Sequence, residues 1–234
     1  MTRYDPQKHH RRSIRLKGYD YSQPGAYFVT ICTHERARLF GRVVDEEMVL
    51  NAFGEIVWEE WFRSAEIRTE IELFADEFVV MPNHIHGIVW IVETDVGTHG
   101  VGAHGVVGAT DVGAHGRAPL RRPPRSLGAF IAGFKSAATK RINALRGTPG
   151  VPVWQRNYYE HIIRNPVRAN GRSPLHAIRR YIADNPLRWH LDRYNPAAAG
   201  ADPLARDLWR LLQDDTRQRE DVPTDDPDNP EDRP

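Results

Sequence analysis

The sequence predicts an α+β fold, in which an antiparallel sheet is combined with helices. Short segments rich in β-branched and aromatic residues, typical of strands, alternate with longer segments whose apolar residues recur every three or four positions. The chain has 234 residues, of which 40% are hydrophobic and 27% charged. That composition is sufficient for one domain with a buried core and argues against wholesale disorder.

The first half of the chain predicts a strand, a helix and a hairpin. Residues 26–33 (AYFVTICT) are β-branched and aromatic and predict the first strand. An amphipathic helix is predicted between Asp45 and Ser64 from the spacing of four apolar residues, Leu50, Phe53, Val57 and Trp61. Its other face holds the acids Glu46, Glu47, Glu55, Glu59 and Glu60, a surface unsuited to contacting phosphates. Strands at 78–81 and 84–92, joined by a Pro82-Asn83 turn, then predict a hairpin.

The second half predicts a last strand with one helix before it and two helices after it. Ser126 is a typical cap for a long helix that ends at Gly147, and a strand follows at 158–163. Pro174 begins a further helix that reaches about Asn185, and a short helix near 203–212 follows. The order strand, helix, strand, strand, helix, strand is the ferredoxin-like β-α-β-β-α-β order, with a helix added at the C-terminal end.

Composition divides the chain into a single predicted domain and its appendages. Residues 1–24 are a basic N-terminal segment, and residues 25–195 form the domain. A five-residue repeat of the type Val-Gly-Ala-His-Gly fills 94–119 and predicts a flexible insertion. Its histidines could bind a metal, but repeat expansion in a tolerant loop is the favoured interpretation. Residues 196–234 form an extension that ends in an acidic tail predicted to be disordered.

The formal net charge of +1 conceals two regions of opposite sign. Residues 214–234 hold nine acids and three bases, so the rest of the chain carries a net charge of +7. Between Arg117 and Arg146 there are eight bases and no acid. Solvated helix faces normally mix both signs, so this run favours a surface that contacts phosphates. Nucleic acid therefore stays among the expected partners.

Other features narrow the class of protein. A single cysteine, Cys32, excludes an internal disulfide framework and a zinc site built from cysteines. The N-terminus is basic with no apolar stretch behind it, so no signal peptide is expected. No run approaches the ~18 apolar residues that span a bilayer. We expect a cytoplasmic chain with no membrane partner.

The clearest local motif is His84-Ile85-His86 within the second hairpin strand. Side chains alternate in a strand, so both imidazoles point to one face, where they could bind a metal or be two structural histidines. Tyr181 and Asn185 are four residues apart and share one face of the predicted helix, although Tyr181 also fits an apolar stripe. Tyr158 and Tyr159 are alternative candidates for a reactive phenol, and spacing leaves all three open.

Four segments together resemble the REP-associated tyrosine transposases, which belong to the single-tyrosine HUH transposases (REP, repetitive extragenic palindromic). They are RRSIRLKGYDYSQPGAYFVTICTHERARLFG at 11–41, VVMPNHIHGIVWI at 79–91, VWQRNYYEHIIRN at 153–165 and RRYIADNPLRW at 179–189. The resemblance runs from about residue 11 to residue 192 and is interrupted by the Gly/His insertion.

The resemblance implies a site and a reaction. It makes His84 and His86 metal ligands, Asn185 the residue that completes the metal site, and Tyr181 the nucleophile on the added C-terminal helix. The implied cofactor is Mg²⁺ or Mn²⁺, although two imidazoles would also accept Zn²⁺. The implied enzyme is a bacterial transposase that cuts and rejoins single-stranded DNA bearing palindromic hairpins, through a 5′-phosphotyrosine intermediate. It would associate with the nucleoid when bound to DNA, and a homodimer stays open.

Ten basic side chains are candidates for DNA contacts: Arg11, Arg12, Arg15, Lys17, Arg121, Arg122, Arg125, Lys135, Lys140 and Arg141. Two other functions stay open. One is a non-catalytic nucleic-acid-binding module on a ferredoxin-like sheet. The other is a replication-initiator-type HUH nickase, which is disfavoured because no helicase segment follows.

Overall fold

The structure, a computed structural model, describes residues 19–93, 125–163 and 174–220, with the side chains of the last helix as far as Gln213. Its architecture is α+β with an antiparallel sheet, as the sequence predicts. The strands are β1 (Gly25–Cys32), β2 (Gly41–Val44), β3 (Glu47–Leu50), β4 (Ile71–Glu72), β5 (Phe78–Met81), β6 (His84–Ile91) and β7 (Tyr159–Ile163). The helices are α1 (Ala52–Ile67), α2 (Leu127–Arg146), α3 (Pro174–Ala183) and α4 (Pro203–Glu220).

Strand β1 lies inside the main sheet, between β6 and β7, and runs antiparallel to both. The strand order is β4-β6-β1-β7, and β5 also pairs with β6. β5 lies beside the His84 end of β6 and β4 beside its Ile91 end. In the β1–β6 register, Thr30 lies opposite His86 and Cys32 opposite His84. Residues directly opposite each other share a face, so this register decides what surrounds the two histidines.

Different helices cover the two faces of the sheet. On one face, Val29, Ile85 and Val89 pack into a core with residues of α1 and α2. On the other face, Phe28 and Ile88 pack into a second core with residues of α3 and α4. Alternation places His84 and His86 on this second face. The sheet therefore presents its histidines to the helix that carries Tyr181.

The prediction of a helix beginning near Asp45 was wrong. Residues 41–50 form the β2–β3 hairpin, whose turn places Asp45 and Glu46 at φ 48° and 67°. Asp tolerates this left-handed region better than most residues, and it is common at turns. α1 begins only after Asn51, whose side-chain oxygen accepts hydrogen bonds from the backbone N–H groups of Phe53 and Gly54. The spacing of Leu50 to Phe53 resembled a helical repeat across this boundary.

The predicted acidic face of α1 is also incomplete. Glu46 and Glu47 belong to the hairpin, and Glu60 is buried, with an exposed fraction of 5%. The guanidinium of Arg141 on α2 donates a hydrogen bond of 2.8 Å to Glu60. A buried carboxylate needs a compensating partner, and Arg141 provides one for Glu60. This side of α1 is therefore partly an interface with α2.

The other predicted elements are confirmed, most of them with small shifts in their bounds, whereas the last helix is longer than the short helix predicted near 203–212. Ser126 caps α2 by accepting from the N–H of Ala129, and Gly147 ends it in a left-handed conformation at φ 66°. α3 begins at Pro174 and ends at Ala183, two residues before Asn185. α4 extends to Glu220, and its Leu208 and Leu212 are buried in the second core. Packing therefore continues well beyond residue 195.

Several predicted features lie outside the described residues. They are the Gly/His insertion at 94–119, the acidic residues after 220, and the candidate DNA contacts Arg11, Arg12, Arg15, Lys17, Arg121 and Arg122. Among the helices that the structure describes, none combines the length and apolar character needed to cross a membrane.

Candidate functional site

Two histidines of β6 form the centre of the candidate site. His84 follows the Pro82-Asn83 turn, and both His84 and His86 are completely buried. Their Nε2 atoms are 3.1 Å apart, so the two rings converge on one point. Ile85 between them packs into the opposite core. The alternation expected of a strand thus brings the imidazoles together.

Side chains behind the histidines fix their orientation. The amide oxygen of Asn83 lies 2.9 Å from His84 Nδ1, and because an amide oxygen only accepts, that nitrogen carries the proton. The Nε2 of neutral His84 is then an acceptor, so His86 Nε2 is the donor between the rings. His86 Nδ1 therefore accepts from the Thr30 hydroxyl, 2.8 Å away. Asn83 is held in turn by donating to the backbone carbonyl of Tyr194 at 2.7 Å.

Burial keeps both histidines neutral. Desolvation lowers the pKa of His84 well below 6.5, and the neighbouring His86 lowers it further. Desolvation lowers the pKa of His86 to about 3, with a smaller contribution from the charge of Arg193. Imidazoles bind metals in their neutral form, so no proton has to be lost from a charged ring for these two to act as ligands near pH 7.

Tyr181 on α3 lies beside the histidines. Its hydroxyl is 3.4 Å from His86 Nε2, and the side chain is 2% exposed. Burial and the charge of Asp192 raise the pKa of the phenol above its usual value of 10. The other candidate tyrosines lie elsewhere, since Tyr158 lies against Lys135 and Tyr159 against the ring of Trp209. Of the three, Tyr181 is the phenol that the fold brings to the histidines.

Asn185 also reaches this site. It lies in the turn after α3, and its backbone N–H donates to the carbonyl of Ile182. Its side chain is 2% exposed, and its amide oxygen has no hydrogen-bond partner within the described part of the chain. Its amide also interacts with His84, Tyr181 and Asp192. A buried oxygen without a partner is costly, and a bound cation would satisfy it.

Sequence reasoning missed Asp192. This carboxylate is buried, and its Oδ2 lies 3.7 Å from His84 Nε2. The ligand atoms of His84, His86 and Asp192 all lie within 4.8 Å of one another. Burial raises the pKa of Asp192 to about 6, although the backbone N–H of Tyr194 partly offsets this by donating to it at 2.6 Å. The residue belongs to no periodic pattern, and only the turns after α3 bring it back to the sheet.

These residues fit a divalent cation. They provide two neutral imidazoles, a carboxylate and an amide oxygen without a partner, which are nitrogen and oxygen ligands of the kind that Mn²⁺ accepts. The carboxylate adds a negative charge to the neutral ligand set predicted from the sequence. It thereby strengthens the attraction for a hard cation such as Mg²⁺.

Aromatic rings enclose the site. The ring of Tyr194 lies 4.6 Å from that of His84, and the ring of Trp189 stacks on His84 at 6.1 Å. Both residues come from the segment between α3 and α4. In this arrangement the candidate nucleophile and ligands are shielded from solvent, so a bulky substrate reaches them only when that segment moves.

Some of the candidate DNA contacts lie among the residues that the structure describes, and their surroundings differ. Arg141 is paired with Glu59 at 2.6 Å and with Glu60 at 2.8 Å. The Lys135 ammonium donates to the backbone carbonyls of Gln155 and Asn157. Arg125 and Lys140 are exposed. The sequence of α2 contains basic residues and no acidic ones. In the folded protein, however, Glu59 and Glu60 of α1 lie beside Arg141 of this helix.

The chain is similar in sequence to a bacterial protein. An uncharacterized protein of Haemophilus influenzae is 37% identical over 192 residues, a match that covers 82% of this chain and 97% of the relative. No protein-family model matches the chain.

Two solved structures are similar to the chain. One is described as a REP-associated tyrosine transposase bound to a REP hairpin; the match has 17% identity, covers 65% of this chain and 64% of that chain, and has a TM-score of 0.37. The match thus spans slightly less than two thirds of that protein. The other is a proposed transposase from Deinococcus radiodurans R1, with 19% identity, 73% of this chain and 95% of that chain covered, and a TM-score of 0.33.

Proposed function

The chain belongs to the same protein family as the uncharacterized Haemophilus influenzae protein, and we propose one function for it from the arrangement of the site. We propose that the protein is a metal-dependent transposase that cleaves and rejoins single-stranded DNA through Tyr181. One observation carries the proposal. The Tyr181 hydroxyl lies 3.4 Å from His86 Nε2, within the cluster that also holds His84 and Asp192.

The four transposase-like sequence segments also support this assignment, independently of the distances in the site. Three of them supply the site directly: the strand segment carries the histidines, the helix segment carries Tyr181 and Asn185, and β1 carries Thr30. The ferredoxin-like order is part of the proposal. It is supported by the arrangement of β7, β1, β6 and β5, in which each neighbouring pair is antiparallel.

Four side chains would hold the cation: His84, His86, Asp192 and Asn185. A divalent cation bound there would orient a scissile phosphate and offset the negative charge that develops on it. Asn83 and Thr30 keep the imidazoles aimed at the binding point, through their contacts of 2.9 Å and 2.8 Å with the opposite ring nitrogens. We propose Mg²⁺ or Mn²⁺ as the cofactor.

Tyr181 performs the transesterification. Its oxygen attacks the phosphorus of a phosphodiester, forms a new P–O bond and releases the 3′ oxygen of the upstream strand. The phenol loses its proton and the departing 3′ oxygen gains one, so the 5′ phosphate stays on Tyr181. Because one phosphodiester replaces another, a 3′ hydroxyl can attack the phosphotyrosine and rejoin the strands without ATP.

The substrate that we propose is single-stranded DNA with a palindromic hairpin. The exposed Lys140 and Arg125 remain candidates for backbone contacts. Arg141 is a weaker candidate, because its guanidinium already binds two carboxylates on α1. The segment with Trp189 and Tyr194 must move before a phosphate reaches Tyr181, since both rings lie over His84.

Covalent labelling tests the proposal. A single-stranded hairpin oligonucleotide from the DNA flanking the chain's own gene is labelled at its 3′ end and incubated with the protein and Mn²⁺. We expect the label to migrate with the denatured protein, because the 5′ phosphate of the downstream fragment stays on the enzyme. Tyr181→Phe should abolish the labelled band, whereas the matched variant Tyr158→Phe should retain it.

Three results would contradict the proposal. Full labelling of Tyr181→Phe would show that another residue is the nucleophile. Tight binding of the oligonucleotide by the wild-type protein without any covalent product, with Mn²⁺ or with Mg²⁺, would favour the non-catalytic binding module. Labelling within a long unstructured strand that lacks hairpins would favour the nickase.

A further inference from the structure

A cleft of about 1380 Å³ lies between α4 and the segment that follows Asp192. Its walls combine aromatic and basic side chains, notably Tyr159, Tyr194, Trp209, Arg193, Arg206 and Arg210. Ligand clefts for one drug-sized molecule have volumes of roughly 300–1,000 Å³, so this cleft has room for a nucleotide and its neighbours. It is separate from the buried cluster of metal ligands, because neither His84 nor His86 lines it.

The aromatic wall is built as a stacking surface. The rings of Tyr159 and Trp209 meet edge to face, with centroids 4.8 Å apart. The guanidinium of Arg193 lies 5.7 Å from the ring of Trp209 and 5.3 Å from the ring of Tyr194. Planar aromatic and guanidinium groups are the surfaces on which unpaired bases stack in proteins that bind single strands. The indole nitrogen of Trp209 is buried, so the ring offers the cleft its apolar surface.

The charge of the cleft suits phosphates. Arg193 and Arg206 are exposed at its edge. Among the described residues of its lining, Asp202 is the carboxylate, and it is bound by the guanidinium of Arg188. Arg210 contacts Asp207 at 3.5 Å, but both side chains are about two-thirds exposed, so this pair is weak in water. The lining therefore leaves a net positive charge beside the stacking surface.

The cleft and the metal-ligand cluster share a wall. Asp192 points to His84, and the next two residues, Arg193 and Tyr194, line the cleft. The Tyr194 ring lies 4.6 Å from the His84 ring on one side and forms part of the cleft on the other. Trp209 and Arg206 lie on α4, outside the segment that must move for a phosphate to reach Tyr181. A strand whose phosphate lies at the cluster would thus still place a nearby base within reach of this wall of the cleft.

We infer that this cleft binds an unpaired base of the single-stranded DNA next to the bond that Tyr181 attacks. The inference rests on the proposed function for its substrate class. Arg193 and Trp209 hold the base by stacking, and Arg206 contacts its phosphate. The site would capture an unpaired nucleotide and leave paired DNA unbound, because a stacked base pair cannot enter an aromatic cleft without being opened.

Binding in EDTA tests the inference without any cleavage. Fluorescence anisotropy compares a labelled thymidine ten-mer with an abasic ten-mer, which has the same number of phosphates and no bases. We expect the wild-type protein to bind the thymidine ten-mer at least fivefold more tightly. Trp209→Leu, which keeps apolar volume against Tyr159, should lower that preference to near one, since loss of one base stacking contact corresponds to roughly 5- to 150-fold in affinity.

Substitutions at exposed side chains test the inference without removing any part of the core. Arg193→Ala combined with Arg206→Ala should weaken binding of the thymidine ten-mer about tenfold or more and should lower the preference for it over the abasic ten-mer, because Arg193 contributes to stacking. The matched controls are Trp58→Leu on α1 and the pair Arg42→Ala with Arg63→Ala, which lie away from the cleft and should bind like the wild type. Thymidine 5′-monophosphate serves as a competitor and should displace the ten-mer only at concentrations far above the affinity of the strand.

The outcomes separate this inference from the proposed function. Equal affinity of the wild-type protein for both ten-mers, or unchanged base preference in Trp209→Leu and the arginine variant, would overturn the inference even if Tyr181 forms a covalent product. Competition by thymidine monophosphate at concentrations near the affinity of the strand would overturn the assignment to a strand. Loss of base preference in both cleft variants would support the inference even if no covalent product forms.

Discussion

A chain of three hydrogen bonds links the buried side chains of the site. Thr30 donates to His86 Nδ1, His86 Nε2 donates to His84 Nε2, and His84 Nδ1 donates to Asn83. A cation between the two Nε2 atoms must replace the proton that now lies there. His86 would then move its proton to Nδ1 and donate to Thr30, whose hydroxyl can accept as well as donate. Thr30 is therefore suited to both states.

We predict that Thr30→Val weakens Mn²⁺ binding by about 10- to 100-fold, the usual effect of losing a hydrogen bond that orients a metal-binding histidine. The valine has nearly the same shape but cannot accept from His86. Isothermal titration calorimetry measures the affinity, and Thr139→Val on α2, on the other side of the sheet, is the control. An unchanged affinity in Thr30→Val would contradict the role of the hydroxyl.

We predict that Mn²⁺ affinity falls below about pH 6 because of Asp192. Its pKa is raised to about 6 by burial, so below that pH the carboxyl is protonated in the metal-free protein and a cation must displace the proton. The apparent affinity should fall up to tenfold per pH unit and be flat above pH 6 to 7 as far as this group is concerned. The histidines contribute only at lower pH, because their pKa values are depressed.

Titrations at a series of pH values measure this dependence. Asp192→Asn should bind Mn²⁺ more weakly and should lose the dependence near pH 6. If the Mn²⁺ affinity of Asp192→Asn still declined from above pH 6, the proton that competes with the cation would belong to another group.

At the scale of secondary structure, a buried carboxylate ties α3 to the sheet. Glu77 lies just before β5 and is completely buried. It accepts a hydrogen bond of 2.6 Å from the indole of Trp90 on β6 and one of 2.7 Å from Arg179 on α3. Arg179 is two residues from Tyr181. The ion pair thus fixes the helix that carries the proposed nucleophile relative to the strand that carries the histidines.

We predict that Glu77→Gln lowers the free energy of unfolding by about 1–3 kcal/mol, the range for a lost hydrogen bond to a charged group. The loss of stability stays within this range because Arg179 is 43% exposed and water replaces part of the interaction. Urea denaturation measures the change. The exposed pair of Arg210 and Asp207 is the control, since Asp207→Asn should change stability by less than about 0.5 kcal/mol. Equal effects of the two substitutions would contradict the anchoring role.

At the scale of the whole molecule, α4 belongs to the packed body. Leu208 and Leu212 are each 2% exposed and lie in the core that also holds Phe28 and Tyr181. The helix therefore stabilises the face of the sheet on which the site lies. It also forms one wall of the cleft, through Trp209 and Arg206.

We predict that Leu208→Ala lowers the free energy of unfolding by about 2–5 kcal/mol, as for other large-to-small changes in a core. Leu145→Ala on α2 is the control, because Leu145 is 58% exposed and should change stability by less than about 0.5 kcal/mol. Urea denaturation followed by circular dichroism measures both. If α4 were a loosely attached extension, the two variants would be equally stable.

Local pattern was a reliable guide to most elements and to part of the site. The α2 caps Ser126 and Gly147, the turn before His84 and the α3 start at Pro174 depend on neighbours in sequence, so they could be predicted. The β2–β3 hairpin could not, because Leu50 extends the helical spacing of α1 backwards into a strand. Its turn residues Asp45 and Glu46 were the available signal.

The candidate site divides in the same way. The pairing of His84 with His86 follows from alternation. Spacing alone left Tyr181, Tyr158 and Tyr159 open and only the resemblance selected Tyr181, because its position beside His86 depends on the packing of α3 on the sheet. The position of Asp192 beside His84 results from irregular turns that reverse the chain after α3. Such turns produce no periodic pattern in the sequence, so this contact could not be predicted. The pairing of Arg141 with Glu59 was equally hidden, since the two residues are 82 positions apart.

The β1–β6 register has a consequence for misfolding. Thr30 faces His86 and Cys32 faces His84, while Ile85 belongs to the core on the other side. A slip of β6 by one residue would move both imidazoles into the hydrocarbon of the α1–α2 core and expose Ile85 to the polar pocket. Each unsatisfied ring would cost about 1–3 kcal/mol. The residues that prepare the protein to bind a metal thus also discriminate against the misaligned sheet, so a chain that folds at all has its ligands already in position.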